Sequence, residues 1–215
     1  LTPLTAASIP LVVLPSDQDI SSALARKVFE STMGQILFKP VLDYQDDSGY
    51  PYRFSFLFGR NYIIVIDSSS GDLSDQQFRW FKAELARGAA YPRILVVSHL
   101  PLAPLIAKDS GHIARAYKVT ELLNRYRNAV FFCGHDPVFY NARYASARVV
   151  SVGGGTDDCP PLSGEQVCQG TTLTVVDTRG KQAARIHAVM GPDFERLMPS
   201  ALHPATVDRY EAVGK

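Results

Sequence analysis

Side chains of types that can bind metal ions follow three short apolar runs of this sequence. The run ILVVS ends at His99, and the run AVFFCG ends at His135. The earlier run IPLVVLP leads into the polar cluster that contains Asp17 and Asp19. A carboxylate and two imidazoles form a ligand set that suits zinc, iron or manganese. Such an ion lowers the pKa of a bound water and neutralises charge on a phosphoryl or acyl oxygen, so the chemistry it would support is hydrolysis.

The positions of the two histidines predict that they meet. A buried strand that ends in a polar side chain places that group at the C-terminal mouth of an open α/β sheet, where ligands bind. His99 and His135 end two such strands joined by one helical run, so their imidazoles should lie side by side. The alternative is that each strand-end histidine only hydrogen bonds to backbone groups, and spacing alone does not decide between the two.

The overall composition is that of an ordinary globular domain. The 215 residues are most simply one domain, with or without a tail. Hydrophobic residues make up 46% of the chain, charged residues 20%, and the formal net charge is +1. This balance gives no electrostatic basis for binding nucleic acid or an anionic membrane, and no apolar run approaches the roughly 18 residues of a membrane span. The first residue is Leu1 and not methionine, and the start, LTPLTAASIP, lacks the regions of a signal peptide, so we expect a processed, truncated or renumbered chain.

The N-terminal quarter predicts a strand, a helix and a turn region. Residues 9–15 are typical of a buried strand. Ser21 or Ser22 can cap a helix that ends near Gly34, and residues 40–51 are rich in turn-forming types. The apolar residues of this helix are Leu24, Val28 and Met33.

The middle of the chain predicts a hairpin and two helices. Segments 52–56 and 62–67 form a hairpin around Gly59. Ser74 and Gln77 form a capping box for a helix that ends near Gly88. The predicted inward faces of this helix and of the helix between the two histidines are Phe78, Phe81 and Leu85, and Val119, Leu122, Leu123 and Tyr126.

After His135 the pattern is all strand. Residues 147–152 lead into a triple glycine, and segments 171–178 and 181–189 flank a turn as a hairpin would. The proline-containing tail from residue 191 looks peripheral. Mixed strands and helices, with hairpins near both ends, predict a layered α/β sandwich.

The three cysteines bear on the compartment. Cys133 ends a buried strand and is predicted to be an inert core thiol. Cys159 and Cys168 bracket a loop that suits a disulfide, which would contribute roughly 2–3 kcal/mol by restricting the unfolded chain; two reduced loop cysteines are the alternative. A disulfide would indicate an oxidising compartment, either periplasmic or secreted.

Several of these segments, in this order, resemble the calcineurin-like metallophosphoesterases, which include the purple acid phosphatases. VVSHLPL at 96–102 looks like that family's histidine metal loop, and GHDP at 134–137 looks like its GHxH motif. Segment 52–81 is similar to the strand–strand–helix unit between the metal loops, and 149–155 to the glycine-rich strand end. The resemblance implies a four-layer α/β/β/α sandwich over residues 1–190 with the N-terminal part of the domain missing, followed by a peripheral tail, 191–215.

The resemblance also implies a reduced metal site. The family's first two motifs, DxH and GDxxD or GDxxY, have no match here. Asp17 stands where an asparagine ligand is expected, and Gln18 replaces the histidine that assists the leaving group. Pro137 replaces the second histidine of GHxH and removes a ligand of the other metal position. The ligands implied are Asp17, His99 and His135.

At most one ion, manganese, iron or zinc, is therefore expected from this chain, and no side chain is assigned as catalytic. Three further residues are candidates for contact with the ligands or with water at the ion. They are Gln18, Asp19 and Asp136, of which Asp19 is expected to orient a neighbour or cap a turn.

Two functions remain open at this stage. The first is metal-assisted hydrolysis of a phosphate-ester small molecule, with reduced or absent turnover. The second is an inactive protein that kept the scaffold for binding or assembly with a protein partner. Other hydrolase and nucleotide-binding classes lack their signatures, since the chain contains neither G-x-S-x-G nor G-x-x-x-x-G-K-[ST].

Overall fold

The computed structural model describes residues 12–36, 42–102, 111–135, 139–152, 172–177 and 185–190. These residues form three helices and nine strands, numbered here in chain order. The helices are α1 (Ala23–Ile36), α2 (Asp75–Gly88) and α3 (Ala116–Leu123). The strands are β1 (Asp43–Gly49), β2 (Arg53–Phe58), β3 (Asn61–Val65), β4 (Arg93–Ser98), β5 (Ala129–Cys133), β6 (Phe139–Tyr144), β7 (Ala147–Val152), β8 (Thr172–Asp177) and β9 (Arg185–Met190).

Seven strands form one mixed sheet in the order β1-β2-β3-β4-β5-β7-β6. Strands β3, β4, β5 and β7 are parallel to one another, while β1–β2–β3 and β6–β7 pair antiparallel. Ser98 at the end of β4 pairs with Cys133 at the end of β5. The C-terminal ends of these two strands therefore meet at one edge, which places the residues that follow them side by side.

Both faces of the sheet are covered with apolar side chains. Helices α2 and α3 pack on one face, where Phe81, Leu85, Val119 and Leu123 are almost fully buried. On the other face, Val176 of β8 packs against a cluster centred on Val150. The mixed sheet and its helices confirm the α/β class; the four-layer arrangement is not established by the described residues.

The strand predicted over 9–15 is wrong for its described part. Residues 12–15 form no strand. The side chains of Val12 and Leu14 instead pack against a buried cluster on one face of the sheet, which includes Phe54 and Val65. Burial against a sheet face satisfies apolar side chains without a hydrogen-bonded ladder, so the hydrophobic run alone could not distinguish the two outcomes.

A strand replaces most of the predicted turn region. Residues 43–49 form β1, whose register shifts between Tyr44 and Asp46 and again before Gly49. The backbone N–H of Ser48 donates to the Asp46 carboxylate at 3.0 Å, so turn chemistry persists inside the strand. An edge strand tolerates this irregularity because only one of its sides is paired.

Helix α1 begins where predicted. The Ser22 hydroxyl accepts a hydrogen bond from the backbone N–H of Ala25 at 3.1 Å, which makes Ser22 the capping residue. The helix continues to Ile36, two residues past the predicted end at Gly34.

The buried side of α1 differs from the prediction. Leu24 is 73% exposed and Val28 is 55% exposed, and the Met33 side chain lies outside the described part. Phe29 is buried instead, with its ring stacked on Tyr52 at 5.7 Å between centroids. The helix docks through an aromatic partner in the turn before β2, which the periodicity of the helix itself does not reveal.

The other predicted elements are confirmed where they are described. Gly59, with a φ of 59°, turns the β2–β3 hairpin, α2 ends at Gly88, and β8 pairs antiparallel with β9. Cys133 is buried, as predicted. The described helices include none that is long and apolar enough to cross a membrane. The predictions that fall outside the described residues concern 153–155, Cys159, Cys168 and 191–215.

Candidate metal site

Two strand-end loops carry the histidines of the site. The backbone N–H of Gly134 donates to the carbonyl oxygen of His99 at 3.0 Å, so the loops after β4 and β5 are joined directly. His135 has a φ of 66°, in the left-handed region that residues other than glycine seldom adopt. Such a conformation persists only where the surrounding structure enforces it, and it is frequent at functional sites.

Three ligand-type side chains converge on these loops. His99 Nε2 lies 3.2 Å from Asp17 Oδ1 and 3.2 Å from His135 Nδ1. The two imidazole rings are 5.1 Å apart at their centroids and nearly perpendicular, at 85°. One ligand atom from each of the three residues lies within 4.8 Å of the others. The structure thus brings together the residues that the sequence proposed as ligands, one of them from the segment before α1.

Burial tunes the central imidazole. The His99 side chain is 21% exposed, and burial lowers its pKa, with a further lowering from the neighbouring His135 that outweighs the opposite effects of Asp17 and Asp19. A lowered pKa keeps His99 neutral at physiological pH, the form that has a lone pair for a metal. Asp17 is 41% exposed, so the site opens to solvent on that side.

Asp19 is engaged elsewhere in its own turn. Its Oδ2 accepts hydrogen bonds from the backbone N–H of Ser16 at 2.9 Å and from the Ser16 hydroxyl at 2.8 Å. These two bonds lower the Asp19 pKa. Asp19 therefore closes the turn that presents Asp17, while Gln18 is exposed and Asp136 lies outside the described residues.

Gly111 is a residue of the site that sequence reasoning missed. A Cβ built at Gly111 would lie 3.1 Å from His135 Nε2. That separation is tight enough to displace the imidazole by a few tenths of an ångström. No sequence pattern pointed to this position, because the contact between Gly111 and His135 is tertiary.

Replacing Gly111 with alanine is expected to weaken metal binding on the order of 10-fold, as changes to residues that orient a ligand do. The added methyl would press on the His135 ring. Isothermal titration with Zn²⁺ measures the affinity, and urea unfolding of the metal-free protein should change by less than about 0.5 kcal/mol because Gly111 is exposed. An unchanged zinc affinity would contradict this role for Gly111.

Comparisons with known proteins give distant structural likenesses only. No family model matches the chain, and no curated protein matches it. A dimetal phosphatase from Danio rerio is similar in structure with a TM-score of 0.49 and 17% identity, over 71% of this chain and 63% of that one. GAP50, the anchor in the inner membrane complex of Plasmodium, is similar with a TM-score of 0.40 and 16% identity, over 71% of this chain and 59% of its own. The chain spans about three fifths of the length of each. Both TM-scores lie below 0.5, so neither likeness supports an assignment of function to this chain.

Proposed function

We propose that this chain is a calcineurin-like phosphoesterase domain that holds a single metal ion and has reduced or absent hydrolytic activity toward phosphate esters. The ion would be manganese, iron or zinc, held by Asp17, His99 and His135. The observation that carries the proposal is the convergence of their three ligand atoms within 4.8 Å at the C-terminal ends of two parallel strands.

The donor set fits such an ion. One carboxylate oxygen and two imidazole nitrogens are ligands common to zinc, manganese and iron. His99 Nε2 lies 3.2 Å from one polar atom of each of the other two residues, Asp17 Oδ1 and His135 Nδ1. The lowered pKa of His99 supplies an unprotonated nitrogen.

A single ion is proposed because the residues for a second are replaced. Pro137 stands at the position where the family that the sequence resembles has a further histidine ligand, and proline offers no donor atom. Gln18 stands where that family has the histidine that assists the leaving group, and an amide does not donate a proton readily near neutral pH. Both replacements favour slow turnover or none.

A bound ion would lower the pKa of a water and neutralise charge on a phosphoryl oxygen. The protein's own residues supply the rest of the site. Asp17 and the two imidazoles would fix the position of the ion, and the Ser16–Asp19 turn presents Asp17 to it. Because His99 is half buried, few water molecules can reach its imidazole.

The alternative is an inactive scaffold of the same fold that binds a partner or serves a structural role. The replacements at Gln18 and Pro137 favour it, because they affect the leaving group and the second ion. We also propose an oxidising, periplasmic or secreted location, which follows from a Cys159–Cys168 disulfide. Free-thiol counting on the unfolded protein tests that disulfide.

The test is metal loading followed by an activity assay on the longest native form of the protein. Elemental analysis is expected to find one equivalent of Mn, Fe or Zn per chain, removable by a chelator. Hydrolysis of a generic phosphomonoester and a phosphodiester is then measured before and after chelation, with added Mn²⁺ or Zn²⁺.

The outcomes separate the two functions. Hydrolysis that disappears with the ion and returns with it would exclude the inactive scaffold. One bound ion without hydrolysis would support the scaffold with a reduced metal site. A protein that takes up no metal under any of these conditions would contradict the proposed metal site altogether.

A further inference from the structure

The residues before and after His99 both form a hydrogen bond with one buried hydroxyl, that of Ser68. Ser98, which precedes His99, has its Oγ 3.0 Å from Ser68 Oγ. Leu100, which follows His99, donates its backbone N–H to the same Ser68 Oγ at 2.9 Å. The Ser98 Oγ is also 2.9 Å from the Leu100 carbonyl oxygen, so the three residues close around the histidine.

These contacts lie in the interior. Ser68 is 1% exposed, and Ser98 and Leu100 are each 3% exposed. A buried hydroxyl or amide that loses its partner is not rescued by bulk water, and its desolvation remains uncompensated. The backbone path through His99 is therefore set by the position of Ser68.

Asp67, the residue before Ser68, is held by helix α2 through Gln77. The Asp67 backbone N–H donates to Gln77 Oε1 at 2.9 Å, and Gln77 Nε2 donates to the Asp67 carbonyl oxygen at 2.7 Å. Gln77 is 5% exposed. The expected capping box is thus only half formed, because Ser74 accepts from the Gln77 backbone while the Gln77 side chain turns to Asp67.

The constraint extends to the second histidine. The carbonyl oxygen of His99 accepts from the Gly134 backbone N–H at 3.0 Å, and Gly134 directly precedes His135. A displacement of the His99 loop would therefore move the peptide that sets the left-handed conformation of His135.

We infer that Ser68 is a positioning residue for the metal site, acting through the His99 loop on both imidazoles. The inference rests on the proposed metal site. Ser68 contacts none of the three ligand side chains in the hydrogen bonds described above, so its effect would be indirect.

The experiment compares Ser68→Ala with Ser146→Ala in the full chain. Ser146 is a matched control: its hydroxyl donates to the Asn124 carbonyl oxygen at 2.7 Å in the β6–β7 turn, at the opposite end of the parallel strands. Co²⁺ binding, followed by its visible absorption, is expected to weaken by roughly 10–100-fold in Ser68→Ala. It should stay within about twofold of wild type in Ser146→Ala, and Ser68→Thr, which restores the hydroxyl, should recover most of the loss.

A second measurement needs no metal. In the metal-free protein, the imidazole ¹H–¹³C resonances of His99 and His135 should shift in Ser68→Ala and stay in place in Ser146→Ala. If Ser68→Ala does not fold, Ser98→Ala removes the neighbouring contact and is read in the same way.

The results separate this inference from the proposed function. Wild-type protein that binds Co²⁺ together with a Ser68→Ala variant of equal affinity would overturn the inference and leave the metal site standing. Wild-type protein that binds neither Co²⁺ nor any of Mn, Fe and Zn would overturn the metal site, and the imidazole resonances would then decide the inference: unchanged resonances in Ser68→Ala refute it.

Discussion

Replacing His99 with alanine is expected to abolish metal binding at this site, with a loss of affinity of at least about 100-fold. Loss of a residue that only orients a ligand already costs roughly 10–100-fold, and His99 Nε2 is the atom that lies 3.2 Å from both other ligand groups. Any metal-dependent hydrolysis should disappear with it.

The same variant has a thermodynamic readout. A ligand at 100 times its dissociation constant stabilises the folded state by about 2.7 kcal/mol. Zinc at that level should stabilise wild type by this amount in urea unfolding, and it should stabilise His99→Ala by no more than about 0.4 kcal/mol because the weakened site is at most half filled.

His112→Ala is the matched control, because His112 is exposed and lies outside the three-residue cluster. It should keep the zinc affinity and the zinc-dependent stabilisation of wild type. Equal zinc binding by wild type and His99→Ala would show that the ion, if any, is held elsewhere.

Replacing Glu84 with alanine is expected to lower the free energy of unfolding by about 3 kcal/mol. Glu84 is fully buried near the C-terminal end of α2. Its Oε2 accepts hydrogen bonds from the Tyr62 hydroxyl at 2.6 Å and from the Ser55 hydroxyl at 2.5 Å. Removing the carboxylate takes the acceptor from two buried hydroxyls, and a buried polar group that loses its partner costs about 1–3 kcal/mol. It also removes the partner of Arg87 Nη1, which lies 2.5 Å from Glu84 Oε1.

Urea unfolding at neutral pH measures this effect. Glu84→Gln keeps an acceptor oxygen for the two hydroxyls but turns an amide N–H toward Arg87, so it should lose less than Glu84→Ala does. Glu121→Ala is the surface control: its carboxylate pairs with Arg125 at 3.1 Å and is 70% exposed, so the loss should stay below about 1 kcal/mol. Equal losses for Glu84→Ala and Glu121→Ala would contradict the buried network.

The central strands and the meeting of the two histidines were predictable because they depend on local patterns. β-branched and aromatic runs mark β4 and β5 as buried strands, and a polar residue after such a run falls at the end of the sheet. The approach of Asp17 was expected from the resemblance and from its place after an apolar run, although residues 12–15, the described part of that run, form no strand.

What sequence patterns missed depends on partners far along the chain. Glu84 has the sequence context of an ordinary charged helix residue on α2, and its hydrogen bonds with the Tyr62 and Ser55 hydroxyls of β3 and β2 lie in the core. Phe29 is buried by Tyr52 in the same way. Ser68 and Gly111 have no sequence signal, since their roles come from tertiary contacts with the histidine loops.

The packing of residues 12–14 on the sheet face opposite α2 and α3 has a consequence for how an ion would act. His99 and His135 belong to adjacent strands and come together as the sheet forms. Residues 12–22, the described part of the chain before α1, form no strand pairing with the sheet, and the packing of Val12 and Leu14 holds the segment that carries Asp17. An ion bound by all three residues would be a cross-link that closes a long loop. A cross-link stabilises the folded state most when the loop that it closes is long. Metal occupancy would therefore determine how tightly the segment before α1 is bound to the rest of the protein, and removal of the ion would weaken that attachment.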